Sequence, residues 1–313
     1  MKPENLGELT LGDFELLGEL AQDAIDEVDL RPRRKLVPQV QKQSNTRPKK
    51  SGSVLDRISP VSESEVGIRM TIYGQTKTGK TRLACTFPKP LLLIGAEDGT
   101  KSVSNVKGVD FVRLQASKEV KDLIDGAITD GKYKTVVLDT ATSLYDIVVK
   151  EILNLAELPL SRSWGMAKRD QWTQAANIMK ERLWSLLHVS EVQGTSILIL
   201  AQEKNANEES EGQSSELLTP NIGASVSKSV RGLLDMTCDY ICQTFIREQT
   251  VEEVIKGTST VMSKLTGKKE YCLRVGAHAL YKTGFRLPPG GDGLPEAIIN
   301  PTWTQIEKLI QGG

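Results

Sequence analysis

A segment of eight residues has the composition of a loop that holds phosphate groups. Its sequence, GQTKTGKT, fits the pattern G-x-x-x-x-G-K-[ST]. Gly74 and Gly79 permit backbone angles and a close approach that a side chain would block, so successive N–H groups can face phosphate oxygens. Lys80 can place its charge at the β- and γ-phosphates of a nucleotide, and the Thr81 hydroxyl can bind magnesium. The predicted phosphate-contacting residues are Gly74, Gln75, Thr76, Lys77, Thr78, Gly79, Lys80 and Thr81. Lys77 could face phosphate or solvent, and we expect solvent.

Two acidic positions follow apolar runs typical of buried strands. Asp139 ends the run TVVLD, and an aspartate at the carboxyl end of such a strand lies near the phosphate loop in parallel α/β sheets. Asp139 is therefore predicted to hold the metal, with an ordinary strand-end aspartate as the alternative. Glu97 follows the run LLLIGA, where a carboxylate can activate water as a general base. With its neighbour Asp98 it could instead cap a turn or a helix.

A third apolar run, SILILA, leads to Gln202. The neutral amide could hydrogen-bond a γ-phosphate and report its hydrolysis to the segment that follows, and a surface glutamine is an equal alternative. The first half of that segment carries Lys204 and five acids, namely Glu203, Glu208, Glu209, Glu211 and Glu216. Acids repel phosphate, so direct contact with DNA is disfavoured there. The second half has Lys228 and Arg231 but no aromatic residue for stacking on bases.

The elements that must position these residues alternate between strand and helix. The predicted strands are 68–73, 90–95, 135–139, 196–201 and about 237–246, and the predicted helices lie near 80–86, 143–157, 170–190 and 302–311. Short apolar strands separated by helices predict an α/β fold with a mainly parallel sheet flanked by helices. Residues 270–281 are predicted to form extended chain with a hairpin turn near Gly276, as a C-terminal β extension.

The first 66 residues differ in composition from the rest. Residues 1–30 carry nine acids and one base, and we predict an acidic amphipathic helix with Phe14, Leu17, Ala21, Ile25 and Val28 on one face. That face either packs on its own core or docks on a partner. Residues 31–66 are predicted to be a flexible linker, because residues 31–50 hold eight bases, no acid and three prolines. Residues 67–313 form the predicted nucleotide-binding domain.

The bulk composition excludes some classes of protein. The net charge is zero, which argues against a uniformly basic nucleic-acid binder. The four cysteines lack the spacing of a disulfide framework or a zinc site. No run approaches the length of about 18 apolar residues that a membrane span needs. We therefore expect a cytoplasmic protein.

The order of these motifs resembles the RecA-type recombinase ATPase core. The chain is similar in particular to small phage-encoded RecA-core ATPases that accompany single-strand annealing systems, in the segments FPKPLLLIGAEDGT, RDQWTQAANIMKERL and ALYKTGFRLP. The resemblance covers about residues 67–311 and implies a RecA-like P-loop NTPase core. Many AAA+ ATPases have a glutamate directly after the metal-site aspartate, whereas Thr140 follows Asp139 here, which disfavours an AAA+ loader.

The resemblance also implies a role for each residue. Lys80 and Thr81 would bind the phosphates of ATP and Mg²⁺, Asp139 would hold Mg²⁺ through water, Glu97 would be the catalytic base and Gln202 the γ-phosphate sensor. Lys282 lies in YKTGF, similar to a segment that relatives extend into the active site of a neighbouring subunit. Gly284 stands where some relatives have arginine, and Arg286 is the substitute candidate. A plain strand lysine is the alternative for Lys282.

The function implied is ATP hydrolysis by a homo-oligomer that acts on single-stranded DNA in phage recombination or annealing, in the host cytoplasm. An annealing protein or a single-strand-binding protein is an expected partner. The alternative is a nucleotide-gated interaction module, in which the N-terminal helix and the acidic segment bind a replication or recombination protein and hydrolysis only resets the state.

Overall fold

The computed structural model describes residues 67–96, 101, 103–155, 167–205, 221–254, 261–287 and 293–312. The predicted helix of residues 1–30 and the predicted linker of residues 31–66 lie outside these ranges. So do Glu97, Asp98 and most of the acidic segment after Gln202. In the described part, no helix is long and apolar enough to span a membrane.

Ten strands and six α-helices follow one another along the described chain. The strands are β1 (Arg69–Gly74), β2 (Leu91–Gly95), β3 (Val109–Arg113), β4 (Thr135–Asp139), β5 (Ser196–Asn205), β6 (Ile222–Ala224), β7 (Tyr240–Val254), β8 (Val261–Arg274), β9 (Gly284–Phe285) and β10 (Ala297–Ile299). The helices are α1 (Lys80–Ala84), α2 (Glu119–Leu123), α3 (Ala141–Leu153), α4 (Arg169–Gln193), α5 (Lys228–Thr237) and α6 (Trp303–Ile310), and a π-helical turn at Ile124–Ile128 follows α2.

The strands form one mixed sheet whose centre is parallel. Its order is β10-β8-β7-β1-β5-β4-β2-β3, with β6 added to β5 and β9 to β7. The strands from β7 to β3 pair in parallel, whereas β8 and β10 are antiparallel to their neighbours. The predicted α/β fold with a mainly parallel sheet and a C-terminal β extension is confirmed.

Side chains of the central strands alternate between two buried faces. On β5, Ile197 and Ile199 pack towards α3, α4 and α5, and Leu198 and Leu200 pack towards α1 and α6. Both faces of the sheet are therefore covered, which explains why these strands are continuous apolar runs rather than alternating ones.

The predicted hairpin turn near Gly276 is wrong. The long hairpin joins β7 to β8, with Gln243 opposite Arg274 near its base and Val254 opposite Val261 at the far end of the pairing. A Cβ on Gly276 would lie 3.1 Å from the carbonyl oxygen of Pro295. Gly276 thus marks a close approach to the chain that leads into β10, and β7 extends well past the predicted end at residue 246.

Candidate nucleotide-binding site

The predicted phosphate loop connects β1 to α1, as the motif requires. Gly79 precedes α1 with φ 87°, a left-handed conformation that glycine adopts without strain. The Thr78 hydroxyl donates a hydrogen bond to the carbonyl of Gln75 at 2.8 Å and so closes the loop on itself. Lys77 is exposed with φ 68°, so the side chain that we expected to face solvent is accessible to it.

Lys80 is buried at the start of α1, and its ammonium group reaches back over the loop. Its Nζ donates to the carbonyl oxygens of Gly74 at 2.9 Å and Gln75 at 2.8 Å, and to Oε1 of Gln202 at 3.3 Å. These three acceptors are uncharged oxygens that hold the ammonium in position. A buried cation so held is suited to bind phosphate oxygens.

Thr81 and Asp139 meet where α1 begins and β4 ends. The Thr81 hydroxyl donates to Oδ2 of Asp139 at 2.6 Å, so a hydroxyl and a carboxylate oxygen lie side by side. Mg²⁺ prefers oxygen ligands and is commonly held by one or two protein groups together with substrate phosphates. The pair therefore fits the ion that the phosphate loop implies.

Gln202 lies beside the loop because β5 pairs with β1 in parallel. The register places Gln202 opposite Gly74, and its backbone N–H donates to Oγ1 of Thr142, in the first turn of α3, at 3.0 Å. The structure thus brings Lys80, Thr81, Asp139 and Gln202 together at the carboxyl ends of three strands. This is the edge at which ligands bind in open α/β sheets.

Thr140 has a structural role in place of a second carboxylate after Asp139. Its peptide bond with Asp139 is cis. Its side chain caps α3 by accepting a hydrogen bond from the backbone N–H of Ser143 at 3.1 Å, which satisfies an N–H group at the start of the helix. The helix therefore begins at Ala141, two residues before the predicted start.

Gly74 is required by strand packing in addition to any ligand. A Cβ on Gly74 would lie 2.3 Å from both the carbonyl oxygen and Oγ1 of Thr244, in the adjacent strand β7. Oγ1 of Thr244 is itself 2.7 Å from the Thr78 hydroxyl. The same glycine thus permits β7 to approach the loop, which the motif alone did not predict.

Replacing Gly74 with alanine is expected to destabilise the domain by about 1–3 kcal/mol, because the added methyl overlaps fixed backbone atoms. Urea unfolding followed by circular dichroism measures this change. The matched control is Gly126→Ala, since nothing lies within 4 Å of a Cβ built there. Equal midpoints for Gly74→Ala and Gly126→Ala would contradict the strand-packing role.

Tyr271 is a candidate site residue, beside the phosphate loop, that sequence analysis missed. Its ring stands against the loop, with Cδ1 3.5 Å from the Cβ position of Gly79, and the residue is 44% exposed. Pairing of β7 with β8 sets Tyr271 opposite Ile246. An exposed aromatic face beside a phosphate loop can stack on a nucleotide base. No spacing in the sequence indicates this position, because the hairpin that delivers it is long.

Replacing Tyr271 with alanine is expected to raise the KM for ATP about tenfold and to leave kcat within about twofold, since stacking on a base contributes about 1–3 kcal/mol. Steady-state phosphate release gives both constants. Tyr271→Phe should retain the wild-type KM because it keeps the ring. A wild-type KM in Tyr271→Ala, or an equal loss in Tyr271→Phe, would rule out stacking.

Among the described residues, Lys282 and Arg286 make no hydrogen bond or ion pair with the phosphate loop of their own chain. Lys282 is exposed, and its backbone N–H donates to the carbonyl of Ile222 in β6 at 2.9 Å. Across the described residues, no hydrogen bond or ion pair joins Lys282 to the phosphate loop. Arg286 instead pairs with Asp239 at 2.9 Å and donates to the carbonyl of Met236 at 2.9 Å. The structure therefore commits Arg286 to contacts within its own chain and leaves Lys282 at the surface.

A partly buried series of polar contacts connects β5 to the segment that carries Lys282. Nε2 of Gln243 donates to Glu203 at 3.0 Å, and Nη1 of Arg274 donates to Oε1 of Gln243 at 2.7 Å. The Arg274 guanidinium also lies over the rings of Phe245 and Tyr281, at 4.7 and 4.4 Å from their centroids. Glu203 directly follows Gln202 on β5, so β5 and Tyr281, the residue before Lys282, belong to one packed unit.

The cysteines take no part in a site. All four are free and buried, and burial raises the pKa of the Cys85 thiol to about 11 and that of the Cys238 thiol to about 12. Such thiols stay protonated at neutral pH and react slowly. Within the described ranges, no group of three or more His, Cys, Asp or Glu side chains could hold a metal ion.

Comparison with known proteins identifies the family and no close relative. A family model described as an AAA domain matches residues 66–266, more than half of the 313 residues. No curated protein matches the chain. The threonine after Asp139 thus does not remove the chain from the AAA domains, although it disfavoured an AAA+ loader. The match covers the loop, Asp139 and Gln202, and the chain belongs to the AAA domain family of P-loop ATPases.

Proposed function

We propose that this chain binds ATP with Mg²⁺, hydrolyses the nucleotide, and acts on single-stranded DNA in recombination or annealing. The observation that carries the ATPase part is the joined set of hydrogen bonds from Lys80 to Gln202 and from Thr81 to Asp139. The DNA part rests on the resemblance to phage RecA-core ATPases. In this proposal the protein is a homo-oligomer and works with an annealing or single-strand-binding protein.

Each residue of the site has a separate task in the proposed reaction. Lys80 and the loop N–H groups bind the β- and γ-phosphates, and Thr81 and Asp139 hold Mg²⁺, which when bound neutralises charge on the phosphates. Glu97 orients and deprotonates the attacking water. The Gln202 amide donates to the γ-phosphate. When the γ-phosphate leaves after hydrolysis, the hydrogen bond between Gln202 and Lys80 changes.

Lys282 is proposed to act on a neighbouring subunit. Its side chain is exposed, and the carboxyl of Asp235 lies close enough for Lys282 to affect its titration: burial raises the pKa of Asp235, and Lys282 and Arg231 partly offset that rise. A cation supplied in trans stabilises charge that develops on the transferring phosphoryl group. The hydrogen bonds that run from Glu203 through Gln243 to Arg274 would then connect the proposed γ-phosphate sensor, Gln202, to the position of that cation.

Replacing Asp139 with asparagine is expected to raise the Mg²⁺ concentration for half-maximal turnover by about 10–100-fold, because the carboxylate that orients the metal shell loses its charge. A magnesium titration of phosphate release at saturating ATP measures the change. Asp110→Asn is the control, since Asp110 lies on β3 and pairs with Lys132 at 2.9 Å. Identical magnesium curves for Asp139→Asn and wild type would exclude Asp139 as a metal-site residue.

ATP turnover with and without a single-stranded oligonucleotide tests the DNA proposal. The assay is run at about 50 and about 200 mM salt, because contacts with phosphates weaken steeply over that range. We expect stimulation at low salt that declines at high salt. Turnover without stimulation, together with no salt-sensitive binding, would rule out direct action on DNA and leave ATP hydrolysis in place.

The alternative function, a nucleotide-gated interaction module, is favoured by exposed apolar side chains on two helices. Trp184 and Val192 on α4 are 55% and 67% exposed, and Met236 on α5 is 71% exposed. Large exposed apolar residues are typical of surfaces that bind other proteins. In this alternative the acid-rich segment after Gln202 and the predicted N-terminal helix bind a replication or recombination protein, and ATP hydrolysis resets the complex.

A further inference from the structure

A cleft of about 580 Å³ lies at the same edge of the sheet as the phosphate loop but at a different place. Its walls come from the ends of β2 and β3 and from the second half of α3, and its polar side chains are Arg113, Gln115, Lys150, Glu151 and Asn154. In the sheet order, β5 and β4 separate β1 and its loop from β2. The cleft is therefore distinct from the site of Lys80.

The cleft has an excess of positive charge. Among the described residues, neither Arg113 nor Lys150 has an acidic partner within ion-pair distance. The one carboxylate in the lining, Glu151, is occupied: its two oxygens accept from the backbone N–H and the hydroxyl of Ser117, at 2.6 and 2.5 Å. Arg113 and Lys150 thus share the cleft with one carboxylate, Glu151, whose two oxygens already accept hydrogen bonds from Ser117.

Two carbonyl groups in the last turn of α3 already accept backbone hydrogen bonds. A helix C-terminus normally carries unsatisfied carbonyl groups that repel anions. Here the carbonyl of Lys150 accepts from the backbone N–H of Leu155 at 3.0 Å, and that of Glu151 accepts from Asn154 at 3.2 Å. The side-chain amides of Gln115 and Asn154 add N–H donors to the lining.

We propose that the Arg113–Lys150 cleft binds a phosphate group, either a phosphodiester of single-stranded nucleic acid or the phosphate of a free nucleotide. A guanidinium binds phosphate oxygens through two parallel N–H donors, and a lysine adds a point charge. That the phosphate belongs to a nucleic acid rests on the proposed function, whereas binding of a free nucleotide does not. The cleft would also supply a basic contact for the DNA strand, which the acid-rich segment after Gln202 lacks.

The cleft is connected to the ATP site through the backbone. Ala96 lines the cleft, and its N–H donates to the carbonyl of Asp139 at 2.9 Å. Ala96 also directly precedes Glu97 in the sequence. A ligand in the cleft therefore contacts the residue that joins the metal-site aspartate to the proposed base, so binding there is expected to alter ATP turnover.

Binding by the double variant Arg113→Gln/Lys150→Gln tests the proposal in the full-length chain. A fluorescein-labelled oligothymidylate is titrated by anisotropy, and pyrophosphate is titrated by calorimetry in a Lys80→Ala background, which weakens the loop's own phosphate binding. The control double variant is Lys107→Gln/Lys121→Gln, which removes equal charge from exposed positions outside the cleft. Thermal unfolding checks that each variant is folded.

We expect the cleft variant to weaken oligonucleotide binding about tenfold or more and to lower the salt slope by about two, relative to the control. Loss of pyrophosphate binding with oligonucleotide binding unchanged also supports the cleft, with a free phosphate as its ligand. If the cleft variant and the control bind both probes equally, or if the parent chain binds neither probe, the proposal is overturned. ATP turnover of the wild type is measured in parallel, so failure of the cleft and failure of the ATPase are separable.

Discussion

ATP turnover is expected to fall by at least about 100-fold when Lys80 is replaced with alanine, a loss typical of removing one charge-stabilising donor. The Lys80 ammonium is buried and donates to Gly74, Gln75 and Gln202. Its removal would take away the charge that we propose faces the β- and γ-phosphates, and also the hydrogen bond between the loop and Gln202 on β5. Both substrate binding and the chemical step should therefore suffer, as a lower kcat and a higher KM.

Lys77→Ala is the matched control for this result. Lys77 lies in the same loop and carries the same charge, but it is exposed and three residues from Lys80. We expect Lys77→Ala to keep turnover within about threefold of wild type, because an exposed charge is screened by water and salt. Equal losses in both variants would mean that loop charge in general, rather than the held ammonium of Lys80, supports the reaction.

Replacing Glu97 with glutamine is expected to lower kcat by about 100-fold to 10,000-fold, the range for loss of a general base. ATP binding should persist, since the amide has the size of the carboxylate and the phosphate loop is intact. Phosphate release gives the rate, and calorimetry gives the affinity for ATP.

Asp98→Asn separates the two adjacent acids. If Asp98→Asn abolishes turnover and Glu97→Gln does not, the base is assigned to the wrong residue. If neither change has an effect, water is activated by a group elsewhere. Loss of ATP binding in Glu97→Gln would instead place this carboxylate in the binding of nucleotide or metal.

Local sequence patterns predicted the centre of the sheet and the residues at its edge. Strands β1, β2, β4 and β5 are continuous apolar runs because both of their faces are buried, and such runs are visible without long-range information. The parallel register then places Gly74 beside Gln202. The meeting of Lys80 with Gln202 and of Thr81 with Asp139 could be anticipated because the loop motif specifies which partners it needs.

Features that depend on distant pairing could not be predicted in the same way. Tyr271 reaches Gly79 only through the long pairing of β7 with β8, and the charged, partly exposed residues of that hairpin have no clear period. The sequence pattern accounts for glycine at position 74 by the close approach of a phosphate. The carbonyl of Thr244 in β7 also excludes a side chain there. The short β3 is an edge strand with exposed residues such as Phe111, so it lacks the apolar run of a buried strand.

The family match and the RecA resemblance both indicate a P-loop ATPase. They differ in the group of P-loop ATPases, which is the AAA domains for the first and the RecA-type ATPases for the second. The position after Asp139 bears on this difference: Thr140 caps α3 through Ser143 instead of providing a carboxylate. We therefore propose a base from another strand end, and Glu97 follows the strand that pairs with β4. The Glu97 variant tests that assignment.

Phosphate release from ATP by the wild-type chain, measured with Mg²⁺ and again with the metal chelated by EDTA, tests the central claim most directly. The site formed by Lys80, Thr81, Asp139 and Gln202 predicts steady release with Mg²⁺ and none with EDTA. Absence of release with Mg²⁺, or an equal rate under both conditions, would contradict the assignment of this chain as a magnesium-dependent ATPase.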